Sequence, residues 1–274
     1  MKPVTVIIPM RNCEKYIQTA LESVDFELAN CIVVDDCSTD GSVSLARRYP
    51  VKLIQQYRHC GQGVGKNIGV DFALKEYRSP YIMFLDADDY YSPHCIEKML
   101  DGVKGHSLCV CNTRTFGDFK RDYGKLKLSG SHLLTKEVSM KTPVVAWNKI
   151  YKAETLRGVM FSRSIPEDNP FWFIYSCAHE NEPINFIDDI LCNYRQIETS
   201  SYNKQNRGAN EFCNPLMSYL DMVDWLKDYR RDRPDLLNWL RESYEENMVN
   251  LHHKVTETPI EGIKAIINRY LGEN

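Results

Sequence analysis

The chain has 274 residues, 43% of them hydrophobic and 26% charged, with a formal charge of −3. That balance is ordinary for a soluble globular protein and gives no general case for nucleic-acid binding, although a local basic patch stays open. No apolar run approaches the ~20 residues that span a bilayer, and Pro9 and Arg11 interrupt the N-terminal one, so a cytoplasmic protein without a transmembrane segment is expected.

In chain order, VTVIIP (4–9) is a β-branched run that reads as a strand buried on both faces. EKYIQTALESV follows, with Ile17, Leu21 and Val24 on one helical face. CIVVDD (31–36) is a second strand, after which a Ser/Thr/Asp cluster caps a helix over 42–49. VKLIQQY (51–57) is a third strand, GQGVGKNIG leads into a helix, and YIMFL (81–85) is a fourth strand. This repetition predicts a mostly parallel, Rossmann-like α/β sheet with helices on both faces. Beyond residue 105 the pattern loosens: SLCVCNTRTF (107–116) is a strand, 117–135 a hairpin or loop, and INFIDDILCNYR (184–195) one or two short strands. From about 209 the chain is helical, with Pro234 and Pro259 at first turns. The organisation expected is a catalytic-type domain over 1–208 and a helical region over 209–274.

Ten cysteines raise the question of disulfides or zinc. Cys31, Cys109 and Cys192 lie in apolar strand-like runs, and the single residue between Cys109 and Cys111 is too short a spacing for a zinc pair. They read as small buried hydrophobes.

The polar residues concentrate where the strands end: Arg11 and Asn12 beyond Pro9 after the first, Asp35 and Asp36 after the second, Asp86, Asp88 and Asp89 after the fourth. In a parallel sheet these ends share one rim, where ligands bind. Asp86 and Asp88, two apart in an extended segment, project to the same side and suit a hard divalent cation. They are too few for an all-protein cage, so water and a ligand's phosphates are expected to complete it. GQGVGKN fails as a P-loop, because Cys60 and Asn67 stand where Gly and Ser/Thr are required, and fails the dinucleotide fingerprint at Lys66. Its glycines still permit close approach, and Lys66 near a helix start can face a diphosphate.

VTVIIPMRNCEKYIQTALESV, CIVVDDCSTDGS, GQGVGKNIG and YIMFLDADDYYSP together resemble, in order and spacing, the family 2 inverting glycosyltransferases of the GT-A fold. The resemblance covers the first hundred residues closely and continues more weakly to about 205. It implies a GT-A sheet and a nucleotide-sugar donor, UDP-sugar first among them, with Mn2+ or Mg2+ as cofactor. It implies that Asp36 contacts the base, that Asp86 sits by the ribose, and that Asp88 ligates the metal bridging the diphosphate. The family commonly has Tyr where this chain has Arg11, and Arg where it has Lys66. A guanidinium plane can also stack on a base.

Inverting transfer needs a base near the acceptor hydroxyl. The stretch 144–173 resembles the family's acceptor region, which carries the base to Asp168 with Glu167 beside it. Pro166 and Pro170 suggest a short rigid loop there, walled by Phe171, Trp172 and Phe173. Trp147 and Lys149 are supporting candidates for the acceptor pocket. Arg195 and Ser200, in a segment resembling one that closes over the donor, are candidates for phosphate contact.

The acceptor expected first is a glycan or lipid-linked sugar in polysaccharide or lipopolysaccharide synthesis. Hydroxylated nucleic-acid bases and proteins are alternatives, as is a non-catalytic nucleotide-sugar-binding subunit. A nucleotidyltransferase would carry a glycine-rich basic loop after the first strand, where this chain has PMRNCEKY. The helices with Trp225 and Trp239 either pack as an appendage or rest peripherally on a membrane.

Overall fold

The computed structural model describes residues 1–118, 125–197 and 212–272. Strands β1 (Val4–Met10), β2 (Ala29–Asp35), β3 (Lys52–Gln55) and β4 (Tyr81–Phe84) pair in parallel in the order β3-β2-β1-β4. All of β1 is buried, as a strand with apolar side chains on both faces requires. The crossovers carry α1 (Ile17–Glu22), α2 (Ser42–Ala46) and α3 (Gln62–Phe72), which runs into a π-helical turn at Ala73–Tyr77. Ile17, Leu21 and Val24 are buried together as their spacing predicts. The second helix stops at Ala46, short of the expected 49.

The same sheet continues through β5 (Tyr90–Tyr91), β6 (Leu108–Gly117), β7 (Gly130–Leu133), β8 (Lys149–Lys152) and β9 (Pro183–Gln196). The strand order is β3-β2-β1-β4-β8-β6-β9-β5, with β7 also on β9. β8 runs antiparallel to both β4 and β6, whereas β6 and β9 are parallel. The sheet is thus parallel in its first half and mixed in its second. The segment read as one or two short strands is a single strand of 14 residues.

Helices α4 (Cys95–Gly102), α5 (Lys136–Lys141) and α6 (Asp168–Ala178) cover the second half. α6 is buried on nearly every side: Phe171, Trp172, Phe173 and Tyr175 are fully enclosed. Each such side chain contributes about 2–3 kcal/mol of apolar burial, so the start of this helix is firmly held. Of the C-terminal helices α7 (Pro215–Tyr229), α8 (Pro234–Leu240), α9 (Glu246–Thr256) and α10 (Ile260–Leu271), α7 packs on α6, α8 and α9 pack on α7, and α10 packs on α9. The Phe173 ring meets Trp239 at 5.0 Å and Tyr244 at 5.5 Å. Pro234 opens α8 as predicted, and Pro259 precedes α10. Among the described residues no helix is long and apolar enough to cross a membrane. The ten cysteines are free thiols.

Candidate active site

The C-terminal ends of β1, β2 and β4 form one rim, as parallel pairing dictates. At the end of β1, Pro9 is buried opposite Val34, and the chain turns outward at Arg11 and Asn12, both exposed. Asn12 takes a left-handed φ of 50° and is latched to the neighbouring loop: Thr39 N donates to its Oδ1 at 2.8 Å. Asp35 is buried and accepts from Ser38 N at 3.2 Å, so it caps this turn. Asp36 is buried as well. Its Oδ1 accepts from Cys60 N (2.7 Å) and Gln56 Nε2 (3.2 Å), and its Oδ2 from Gly61 N (2.8 Å) and His59 Nδ1 (2.6 Å).

Gly61, at φ 89°, starts α3, and two further glycines let that helix lie close on its neighbours. A Cβ on Gly63 would fall 2.0 Å from Ser162 O, and one on Gly69 would strike Ile7. This tight seat drives Lys66 inward instead of toward the rim. Lys66 is fully buried, with Nζ 3.1 Å from Glu167 Oε1, 3.2 Å from Asp168 Oδ1 and 3.9 Å from Asp86 Oδ1, and 5.1 Å over the Phe161 ring. Burial opposes its charge, but Asp168, Glu167 and Asp86 outweigh that and raise its pKa above the ordinary lysine value. Lys66 is therefore a buried ammonium joining the end of β4 to the start of α6.

Glu167 and Asp168 are both buried. The structure places them at the start of helix α6, not in the isolated loop suggested by the two prolines; Asp168 is its first residue. An N-terminus favours negative charge through its unpaired N–H groups. Glu167 Oε1 also accepts from Gln62 Nε2 at 2.5 Å. Burial raises the Glu167 pKa to about 7, Lys66 opposing and Asp168 adding. Of the three aromatics expected as walls, Phe171 backs the cluster through Phe161, stacked on it at 3.8 Å. Trp172 instead donates to Ser139 O, and Phe173 faces the C-terminal helices.

At the end of β4, burial raises Asp86 to about 6, with Lys66 opposing and Asp168 and Asp88 adding. Asp88 is raised chiefly by burial too, and Asp89 well above the carboxylate range. Asp86 Oδ1 and Asp89 Oδ2 are buried oxygens without a hydrogen-bond partner. Arg195, near the end of β9, braces this turn: its N donates to Asp89 Oδ1 (2.6 Å) and its Nε to the Asp88 carbonyl (2.8 Å). Its guanidinium lies between the Tyr16 ring (4.6 Å) and the Phe116 ring (4.5 Å). Ser200 lies outside the described residues.

Five carboxylates, Asp86, Asp88, Asp89, Glu167 and Asp168, thus face Lys66 and Arg195. The excess negative charge and the orphaned oxygens fit a hard divalent cation. Among the described residues no three His, Cys, Asp or Glu side chains close around one point, so water and phosphate oxygens would supply the other ligands.

Trp147 and Lys149 are buried behind the site. Trp147 stacks on Tyr194 at 5.1 Å. Lys149 Nζ donates to the carbonyls of Pro143 (2.6 Å) and Val145 and to Asn148 Oδ1 (2.9 Å), locking the loop before β8. Burial lowers its pKa to about 7. A cavity of about 890 Å³ opens at the opposite end of the sheet, beside Tyr81 and Lys152. Its exposed charges are partly paired among themselves, as in Lys152–Glu154 at 3.5 Å, and none of the converging carboxylates reaches it.

Sequence reasoning missed Gln62, Phe161, Tyr16 and Phe116, whose roles depend on partners distant in sequence. His59 was discoverable as a polar aromatic flanking the glycine-rich loop.

Residues 5–165 match the family model described as Glycosyl transferase family 2. The chain is 26% identical over 223 residues to the uncharacterized glycosyltransferase EpsJ of Bacillus subtilis, covering 72% of this chain and 62% of that one. It is 34% identical over 117 residues to the poly(ribitol-phosphate) beta-N-acetylglucosaminyltransferase TarS of Staphylococcus aureus, covering 39% of this chain and 20% of that one. The chain therefore spans less than two thirds of the length of these relatives. Among solved structures, residues 1–349 of S. aureus TarS in complex with UDP-GlcNAc superpose with a TM-score of 0.66 at 16% identity, covering 100% of this chain and 93% of that one. Glucosyl-3-phosphoglycerate synthase of Mycobacterium tuberculosis, in complex with Mn2+, UDP and glucosyl-3-phosphoglycerate, gives 0.56 at 15% identity over 82% and 79%. With the family model matched over more than half its length and the GT-A fold shared with these structures, this chain belongs to glycosyl transferase family 2.

Proposed function

We propose that this protein transfers a sugar from a nucleoside diphosphate donor to an acceptor hydroxyl, with inversion at the anomeric carbon. The observation that carries the reading is the meeting of Asp86, Glu167 and Asp168 on the buried Lys66, all within 3.9 Å of its Nζ, just beneath the strand-end rim. A donor-side carboxylate and a candidate base are thereby fixed relative to one another by a single buried cation. UDP in two of the superposed structures supports a uridine donor here, and the Mn2+ in one of them supports a divalent metal.

In this reading Asp168 accepts the proton of the acceptor hydroxyl, and the oxygen attacks the anomeric carbon opposite the diphosphate. Lys66 fixes the orientation of Asp168 from 3.2 Å away. Asp88, with Asp86 beside it, would hold Mn2+ or Mg2+, which when bound neutralises charge on the leaving diphosphate. Arg195 keeps the Asp88 turn in place through its carbonyl. The rigid seat of α6 holds the base still, so positioning supplies much of the acceleration. The name of the relative TarS, a poly(ribitol-phosphate) beta-N-acetylglucosaminyltransferase, favours a hydroxyl on a polyol-phosphate polymer as acceptor.

Calorimetry with UDP, GDP, CDP and TDP, with and without Mn2+, tests the donor site. Metal-dependent binding that Asp88→Asn abolishes is expected. Asp168→Asn should bind the donor and lose transfer; an Asp168→Asn enzyme as active as the wild type would remove Asp168 as the base. A wild type that binds no nucleotide would refute the donor site itself.

A further inference from the structure

Asp86, Glu167 and Asp168 share the ammonium of Lys66 and outnumber it, so the candidate base competes with two other carboxylates for one charge. Lys149, on β8, is a second buried cation. It is fully enclosed, and neutral oxygens take up its three N–H donors: the carbonyls of Pro143 (2.6 Å) and Val145, and Asn148 Oδ1 (2.9 Å). Three acceptors around one nitrogen fit an ammonium, because a neutral amine has two N–H groups and would leave a buried acceptor unpaired. Among the described residues no carboxylate pairs with Lys149. Its charge is therefore not cancelled where it sits, an arrangement that costs stability.

The same nitrogen lies 5.0 Å over the ring of Trp172 in α6. Asp168 precedes Trp172 by four residues, which puts it one turn back on the same face of that helix. Burial opposes the Lys149 ammonium, and of the charges that favour it Asp168 is foremost, ahead of Cys111 on β6 and Cys192 on β9. Burial keeps both of those thiols protonated, far above their ordinary range, so the negative charge facing Lys149 is that of Asp168.

Resting on the reading of Asp168 as the base, we propose that Lys149 is a positioning residue whose caged ammonium acts along the inner face of α6 and holds Asp168 in the carboxylate form. Lys66 already occupies Asp168 Oδ1. A second cation in contact would occupy Oδ2 as well and block proton transfer. One held back by three neutral oxygens contributes its field and leaves Oδ2 open to the acceptor hydroxyl. The cage thus separates the electrostatic help from the contact.

Carbon NMR of the lysine ε-methylenes follows Lys149 directly. Burial pulls its pKa down to about 7, which separates its titration from that of ordinary lysines at about 10. Asp168→Asn keeps the shape of the side chain and removes its charge, so the Lys149 midpoint should fall by about one pH unit, a tenfold change in proton affinity. Glu167→Gln removes the neighbouring charge and should move the midpoint by less than half as much. A midpoint in Asp168→Asn within about 0.3 of a pH unit of the wild type, or equal movement in the two variants, makes Lys149 a pin for its loop alone and overturns the proposal. A double-mutant cycle in urea near pH 6 reads the coupling from the other side. There Lys149→Gln should shift the folding equilibrium about fivefold less when residue 168 is already Asn, and losses that are additive to within about twofold contradict the proposal. Should Lys149→Gln fail to fold, the NMR comparison decides alone. Both measurements run without substrate: absent coupling overturns this inference by itself, whereas transfer activity retained in Asp168→Asn removes the base reading on which it rests.

Discussion

Lys66 Nζ lies 3.2 Å from Asp168 Oδ1 across 102 residues of sequence, in a pocket from which solvent is excluded. One ammonium among three carboxylates makes this cluster both rigid and incompletely neutralised. Removing it strands the carboxylates. Lys66→Met is expected to destabilise the protein by about 3–5 kcal/mol near neutral pH, the usual cost of breaking a buried pair. The deficit should shrink toward pH 5, where Asp86 and Glu167, both raised by burial, take up protons more readily. Urea denaturation of both proteins at pH 7 and pH 5 measures it, and equal stability at pH 7 would show that Lys66 bears no structural charge.

Burial pushes the Glu167 carboxyl up to about 7 in the folded protein, from an ordinary 4.5, with Lys66 opposing. A carboxyl whose folded pKa is raised contributes stability that is full below 4.5 and is lost as pH rises through 7. Thermal melts of the ligand-free protein should therefore decline between pH 5 and 7.5, with up to about 3 kcal/mol assignable to this group. In Glu167→Gln the amide cannot ionise and still accepts from Lys66, so the slope should flatten. A slope identical to that of the wild type would place the titration elsewhere.

Gly63 leaves no room for a methyl group. With a Cβ 2.0 Å from the Ser162 carbonyl, Gly63→Ala must push α3 away from the 161–163 segment and carry Lys66 with it. A loss of about 2–4 kcal/mol is expected, far beyond the gain in helix propensity of about 1 kcal/mol. A melting temperature at or above the wild-type value would contradict this close approach.

Arg195 holds the Asp88–Asp89 turn by planarity as well as by charge. Arg195→Lys keeps the charge but loses the fork and the flat face between Tyr16 and Phe116. Nucleotide affinity should fall by about tenfold, while the melting temperature moves only about 2–4 °C, corresponding to about 1 kcal/mol in a chain of this size. Affinity within twofold of the wild type would show that the turn holds itself.

The alternation of β-branched runs with amphipathic helices was enough to define the parallel half of the sheet, because strand period and burial are local properties. It also located the carboxylates, since a parallel sheet sends every strand end to one rim. The second half was less legible: the 14-residue β9 bends through bulges that no simple alternation encodes, and β8 inserts antiparallel between β4 and β6.

What the amino-acid order determined by itself is the family and the α/β sheet, with Asp36, Asp86 and Asp88 at strand ends and Asp168 beyond them. Only the tertiary structure decided their company. The tight seat of α3 turned Lys66 inward to Glu167 and Asp168, and the 56–61 loop filled every acceptor position of Asp36. The reason is physical: charge pairing and hydrogen-bond saturation depend on distances of a few ångströms between groups up to 102 residues apart, and such distances exist only once the chain has packed.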